Sequence, residues 1–273
     1  MASGSLIGHR RETVQRVLSD NLAQAHSGLI FDHFLAMWAH GRGLPTPQKP
    51  LREPLQMFVE DFHRGGRSEY KKSLLREHHE RLANTAPRYA TRQWDLQVQW
   101  RLTTGLGSTH PTENGFLFHE LLGVPYLSGA AVKGLCRTAA KVLDAAPARI
   151  KTLLGSETTA QPLAGGDLVF YDALPSVWPR LVVDIVNCHH PDYYSQQRTD
   201  KKDPPAEAVE TESPVPVFFL AVDAGACFRF RLGSRAKSAE HIAQGRDWLH
   251  QGLDLLGIGA KTAVGYGVLS PVA

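Results

Sequence analysis

Cysteine is scarce in this sequence. Cys136, Cys188 and Cys227 are the only three in 273 residues. They are far apart and no two have CxxC spacing. An odd, scattered set excludes a secreted disulfide framework and a zinc ribbon, and makes a reducing cytoplasm the default compartment. Long apolar runs are also missing. The longest, Val215 to Val222, is broken by Pro216, and the amino terminus MASGSLIGHRRE has no apolar core. The sequence therefore predicts no membrane span and no targeting segment. Neither sign of charge dominates: 30 Lys and Arg stand against 27 Asp and Glu, a formal charge of +3 with a pI near 8.8. That balance permits a nucleic-acid partner without requiring one. No internal repeat is visible. With 42% hydrophobic residues, a chain of this length can bury a full core in one or two domains.

Periodicity organises the chain. From Thr13 to Trp38 apolar residues recur every three or four positions up to Gly41 and Gly43, which predicts a long amphipathic helix. After Pro45, Pro47, Pro50 and Pro54, a charged stretch from about Ser68 to Leu82 carries Lys71, Lys72, Arg76, His78, His79 and Arg81. It reads as a second helix whose basic side would either touch RNA or be solvated. Trp94, Leu96, Val98, Trp100 and Leu102 alternate with polar residues and predict a half-buried strand. Gly129 to Ala146 reads as helix, and Asp167–Leu174 and Leu181–Asn187 as strands. Val217–Val222 and Phe228–Leu232 read as a hairpin across residues 223–226. A last helix is expected from Ala239 to Leu256, then a glycine-studded turn and a closing strand over Ala263–Leu269. The polar, proline-bearing run from about 188 to 215 reads as an extended loop. This order is that of an α+β, ferredoxin-like (RRM-like) sheet with helices on one face and surplus strands inserted. Residues 1–90 are expected to form an amino-terminal helical extension packed on the core, and residues 91–273 the main domain.

Two stretches carry the chemistry. The first runs from Gly105 through His110, Glu113, Asn114, Gly115 and His119 to Gly123-Val124-Pro125-Tyr126 and Lys133-Gly134. Ser128 or Gly129 would cap a helix whose unpaired amides suit an anion such as phosphate. Lys133 and Arg137, four residues apart, would share one side of it. The plainer alternative is a tight loop with a good cap and two solvated cations. The second is Gly257-Ile258-Gly259-Ala260-Lys261-Thr262-Ala263-Val264-Gly265-Tyr266-Gly267. It is not a Walker A loop, because Ala260 rather than glycine precedes Lys261 and no helix pattern follows. A turn of exposed amides with a lysine and a hydroxyl suits a backbone phosphate. Read without a ligand, it is a helix C-cap and turn needing several positive φ angles.

These motifs, in this order from about residue 91 to 270, resemble those of the RAMP proteins of CRISPR systems. Within that superfamily they are most similar to the sixth-subunit family of Cmr (type III-B) effector complexes. Gly166–Ala173 with Pro175, and Asp184–Asn187 running into His189-His190-Pro191-Asp192-Tyr193-Tyr194, add to the likeness. The resemblance implies a non-catalytic subunit in antiviral defence that grips a CRISPR guide RNA, caps the subunit filament and docks on other RAMP subunits, with target RNA near. By position it implies RNA contacts at Ser128, Lys133 and Arg137, and at Gly257, Gly259, Lys261 and Thr262. The family usually has proline, glycine and two hydroxyl residues before the helix. Here Ser128-Gly129-Ala130-Ala131 stands instead, leaving backbone amides and one capping hydroxyl. No RNP1-type aromatic pattern lies on a strand.

His110 and His119 define the enzymatic alternative, a metal-independent endoribonuclease in which one of them activates a ribose 2′-hydroxyl. Against it, no second acid or base is set by spacing, and His110 with Glu113 and Asn114 would equally organise a turn or a subunit contact. Asp167, Asp172 and Asp184 lack metal-ligand spacing and read as turn and strand-end residues. Cys188-His189-His190 lacks a fourth ligand, so no metal and no cofactor are expected. Tyr193 and Tyr194 would either stack on RNA or hold the long loop.

Overall fold

The computed structural model describes residues 25–35, 51–84, 89–157, 164–188 and 214–272. Helices α1 (Arg52–Gly65) and α2 (Glu69–Asn84) precede strand β1 (Ala90–Val98). There follow α3 (Gly129–Val142), α4 (Pro147–Leu154), β2 (Leu168–Phe170), β3 (Leu174–Pro175), β4 (Leu181–Cys188), β5 (Val215–Val222), β6 (Cys227–Ser234), α5 (Ala239–Leu255) and β7 (Leu269–Pro271).

The main sheet runs β2-β6-β1-β7 and every pair is antiparallel. With α3 after β1 and α5 after β6, its strands come in the order second, third, first, fourth of a β-α-β-β-α-β unit. That is the ferredoxin-like arrangement predicted from the sequence. The period-two pattern of β1 buries Leu96 and Val98 while Asp95 and Gln97 on the other face stay partly exposed. Phe228, Phe230 and Leu232 of β6 join them under Val132, Leu135 and Cys136 of α3 and Trp248, Leu249 and Leu253 of α5. Each such side chain contributes about 2 kcal/mol by leaving water. Helix α5 begins at Ser238, whose Oγ accepts the His241 amide at 3.2 Å. Beside it the Asp167 carboxylate accepts Ser234 Oγ (2.6 Å) and the Ala236 amide (2.7 Å), and His241 Nδ1 lies 2.7 Å away. Asp167 is thus a strand-end and helix-start residue, as its position suggested.

Several expectations need correction. The helix from Gly129 stops at Val142, and Pro147 starts a separate helix because proline suits a first turn but not an interior. The predicted hairpin does not form. β5 pairs along its whole length with β4, from Leu181↔Val222 to Cys188↔Val215, whereas β6 is held between β1 and β2. Residues 223–226 therefore cross from one sheet to the other, with Asp223 N bonded to Arg180 O and Gly225 N to Val98 O. Residues 263–268 are not strand: Thr262–Val264 is a 3-10 turn, and β7 starts only at Leu269. Of the helix expected over 13–38, the described part is a short turn, Ser27–Leu29, and a π-helical segment, Ile30–Phe34. The remainder of that helix, Pro45, Pro47, Pro50 and the polar loop with His189, His190, Tyr193 and Tyr194 lie outside the described residues.

Phe31, Phe58, Phe62 and Phe118 interlock at centroid distances of 5.5 to 6.4 Å and belong to the main core. Helix α1 also holds the second sheet: Leu181 N donates to His63 Nε2 at 3.0 Å, and Trp178 Nε1 to Phe62 O at 3.2 Å. Helix α2 points part of its basic face inward. Lys71 is buried with its ammonium 5.3 Å from the Trp178 ring centroid, and burial lowers its pKa to about 8. His79 is buried within 2.8 Å of Pro175 O.

Candidate nucleic-acid interface

The two predicted phosphate-binding sites, the start of α3 and the glycine-rich loop, sit at opposite edges of the main sheet. At the β2 edge, Ser128 caps α3, its Oγ accepting the Ala131 amide at 3.2 Å. The Gly129 amide donates to Asp172 Oδ1 at 2.7 Å. Asp172 reaches it because the chain bulges between β2 and β3: Phe170 pairs with Leu232 but Leu174 with Arg229, so one extra residue lies on this side. Two of the first three amides of α3 are thus occupied by the protein's own oxygens, one of them a carboxylate. Lys133 and Arg137 share a side of α3, as their spacing required, and both are half-buried. Burial lowers the Lys133 pKa, and repulsion from Arg137 and Arg235 lowers it further. Arg137 is engaged, its guanidinium donating to Leu154 O (2.9 Å) and Gly155 O (3.2 Å) at the end of α4.

At the β7 edge the glycine-rich loop is a C-terminal turn of α5 with positive φ at Gly257 (68°), Gly259 (97°), Lys261 (60°), Gly265 (92°) and Gly267 (72°). It clamps onto the chain leaving β1: Ala260 N donates to Thr103 O at 2.8 Å and Gly267 N to Arg101 O at 2.7 Å. A Cβ at Gly259 would lie 2.4 Å from Thr103 O, and one at Gly267 would lie 1.9 Å from Ile258 O. Glycine is required at both because backbone occupies that space. The amides of Lys261, Thr262 and Ala263 have no backbone acceptor among the described residues. These three successive donors lie in a partly exposed turn that starts from a left-handed residue, an arrangement that suits an anion.

Around this loop lies a cluster that sequence reading did not assemble. Arg101 and the Tyr266 hydroxyl both bond to Asp184 Oδ2. Burial works to raise the Asp184 pKa, but the Tyr266 hydroxyl, the Arg101 guanidinium and the Ile185 amide bring it below the ordinary value. Burial, with the Asp184 carboxylate, pushes the Tyr266 hydroxyl up to about 12. The Lys261 ammonium lies 5.3 Å from the Phe219 ring centroid and 6.0 Å from that of Tyr266. Trp100, expected on the inward face of a continuous strand, is 48% exposed. Strand β1 stops at Val98, and the chain bends at Gln99–Trp100 before Leu102 bridges to Val222 of the second sheet. The recurrence of Asp184 and the Gly-Tyr-Gly run in recognisable motifs was the available signal. Their contact with Arg101 was not legible.

The histidines of the first stretch are structural in their contacts. His110 stacks on Phe31 (4.2 Å, 4° between planes), with Nδ1 2.7 Å from Thr112 Oγ1 and Nε2 3.2 Å from Phe31 O. Thr112 in turn donates to Asn114 O, and Glu113 N to His110 O. The turn role is the one seen. His119 Nδ1 accepts the Leu121 amide at 3.3 Å, and its ring meets Tyr126 and His78 at 5.5 and 5.4 Å. Burial lowers the pKa of both. Among the described residues no group of three His, Cys, Asp or Glu is placed to hold a metal ion. No helix among them is long and apolar enough to cross a membrane.

A ferredoxin-like sheet whose last helix runs into a glycine-rich loop clamped on the end of the first strand defines a class. Residues 95–270 match the RAMP superfamily, and the chain belongs to it. It is similar to CRISPR system Cmr subunit Cmr6 of Pyrococcus furiosus, with 28% identity over an alignment of 230 residues that covers 64% of this chain and 66% of that one. The match thus spans just under two thirds of that relative. The fold is also similar to a chain in the cryo-EM structure of the Type III-B Cmr-beta bound to cognate target RNA. That likeness has a TM-score of 0.59 and 18% identity, over 98% of this chain and 89% of that one.

Proposed function

We propose that this chain is a non-catalytic, guide-RNA-binding subunit of a type III CRISPR effector complex, seated at an end of the subunit filament beside other RAMP subunits. Membership of the RAMP superfamily and similarity to a Cmr subunit support the assembly. The observation that carries RNA binding is the glycine-rich loop, with three amides that have no backbone acceptor among the described residues and Lys261 beside them. Gly257 and Gly259 shape the loop, Lys261 supplies charge, and Thr262 adds a hydroxyl to the donor set. Ser128, Lys133 and Arg137 form a second, weaker contact, because the Arg137 guanidinium and the neighbouring Gly129 and Ala131 amides are already engaged within the protein.

Phosphate contacts release counterions, so affinity for single-stranded RNA is expected to fall steeply with rising salt and to depend little on sequence. Filter binding across a salt series, with the full chain alone and with co-purified neighbours, tests this. Affinity that is absent or insensitive to salt in both cases overturns it. Sequencing RNA co-purified from native cells tests the guide assignment, for which CRISPR-derived spacers are the expected result.

A further inference from the structure

Trp100 has no part in the phosphate contacts proposed above. It is 48% exposed, although the strand it follows is built to bury alternate residues. Its neighbours are tied together by side-chain hydrogen bonds. The Tyr266 ring meets it edge-on at 4.9 Å and the Arg101 guanidinium lies 5.5 Å from its centroid, while Tyr266 and Arg101 are both bonded to Asp184. The loop passes directly beside it: a Cβ on Gly265 would lie 3.8 Å from Trp100 Cε3. A supported aromatic face, the Lys261 charge and three amide donors thus share one patch.

We infer that Trp100 is a stacking platform for one unpaired nucleobase of the bound strand, whose neighbouring phosphate rests on the glycine-rich loop. The inference rests on the RNA-binding reading above and adds to it a base-contacting residue. An indole stacks on any base, so the platform tolerates sequence, as a guide of variable spacer content requires. A purely apolar protein partner would cover the indole but leave the adjoining amides and ammonium without acceptors, at a cost in desolvation. Nucleotide chemistry matches all three features at once. Arg101 and Tyr266 act here as positioning residues that hold the ring.

The test is binding of a short oligouridine to the full chain, with W100A, W100F and K261A compared at low and moderate salt. W100A is expected to bind roughly tenfold more weakly with an unchanged salt slope, because it loses stacking and no phosphate contact. W100F is expected to stay close to native. An oligonucleotide with one abasic position in the register of Trp100 is expected to bind W100A and native chain alike. Native affinity in W100A alongside weakened K261A overturns the stacking platform and leaves the RNA reading standing. Equal loss in W100A and W100F together with a lowered melting temperature also overturns it, by showing a packing role. A native chain that binds no RNA at any salt removes both readings.

Discussion

The start of α3 and the glycine-rich loop present the same chemistry in sequence, amides near a turn with a cation close by, yet the fold treats them differently. At α3 the Gly129 amide is held by Asp172, the Ala131 amide by Ser128, and Arg137 by the end of α4. At the loop the backbone bonds run to Thr103 and Arg101, away from Lys261, Thr262 and Ala263, whose amides have no backbone acceptor among the described residues. An anion-suited motif is therefore decided by which of its donors the rest of the protein already uses. A helix start that faces a carboxylate from the bulge between β2 and β3 has its ligand built in.

The largest effect expected from breaking this contrast is at Gly259. Gly259→Val combines a φ of 97° with a Cβ 2.4 Å from Thr103 O. It should cost about 3 kcal/mol of stability, read as a lowered melting temperature, and abolish RNA retention. Unchanged melting would show that the loop is not clamped on Thr103. Next is Arg137→Ala, which removes donors from the last carbonyls of α4 and should cost about 1 to 2 kcal/mol in denaturant melts. Its effect on RNA affinity should be smaller than that of Lys261→Ala, and the reverse order would make α3 the principal contact. Asp172→Ala sharpens the comparison from the other side. It should cost about 1 kcal/mol of helix capping while leaving RNA affinity equal or higher, because the Gly129 amide is released. Reduced affinity without unfolding would mean that Asp172 orders the contact rather than blocking it. Lys261→Ala should weaken RNA binding by about 1 kcal/mol, reduce the salt slope by about one, and leave the melting temperature unchanged.

Near neutrality the smallest expected effect is a pH slope. His63, His78, His79, His110, His119 and His250 are all shifted below 6.5, with burial the largest cause in each. Below 6.5 the unfolded chain binds more protons than the folded one, so stability is fully present above 6.5 and declines as pH falls below it. Chemical melts between pH 8 and 5 should show a plateau followed by loss. A rise in stability on acidification would mean that these rings gain partners when charged. That result would favour the reading of His110 or His119 as an acid–base group.

The elements most legible in the sequence were those with strong local period. β1, α2, β4 and α5 lie within a few residues of where alternation or helical spacing put them, since each pattern reports a face that must leave water. The hairpin over residues 217–232 failed because both strands are apolar and separated by a turn, and no local signal says that one pairs with β4 and the other with β1. Trp100 failed for a related reason. Period two carries through it, but the pull of Leu102 toward Val222 and of Arg101 toward Gly267 ends the strand early.

From the sequence alone came the ferredoxin-like element order, the glycine positions that demand positive φ, the pairing of Lys133 with Arg137 on one helix side, and the rejection of a Walker A loop. All are properties of residues near one another along the chain, where steric limits and helical or strand geometry act directly. Only the tertiary structure decided that Asp172 occupies the start of α3, that Arg137 serves α4, that Lys71 is buried over Trp178, and that Asp184 joins Arg101 to Tyr266 beside an exposed Trp100. Each of these pairs residues brought together by sheet order and burial. Whether a polar group meets a ligand or its own chain depends on those distant partners, because a desolvated donor takes whichever acceptor the fold delivers to it.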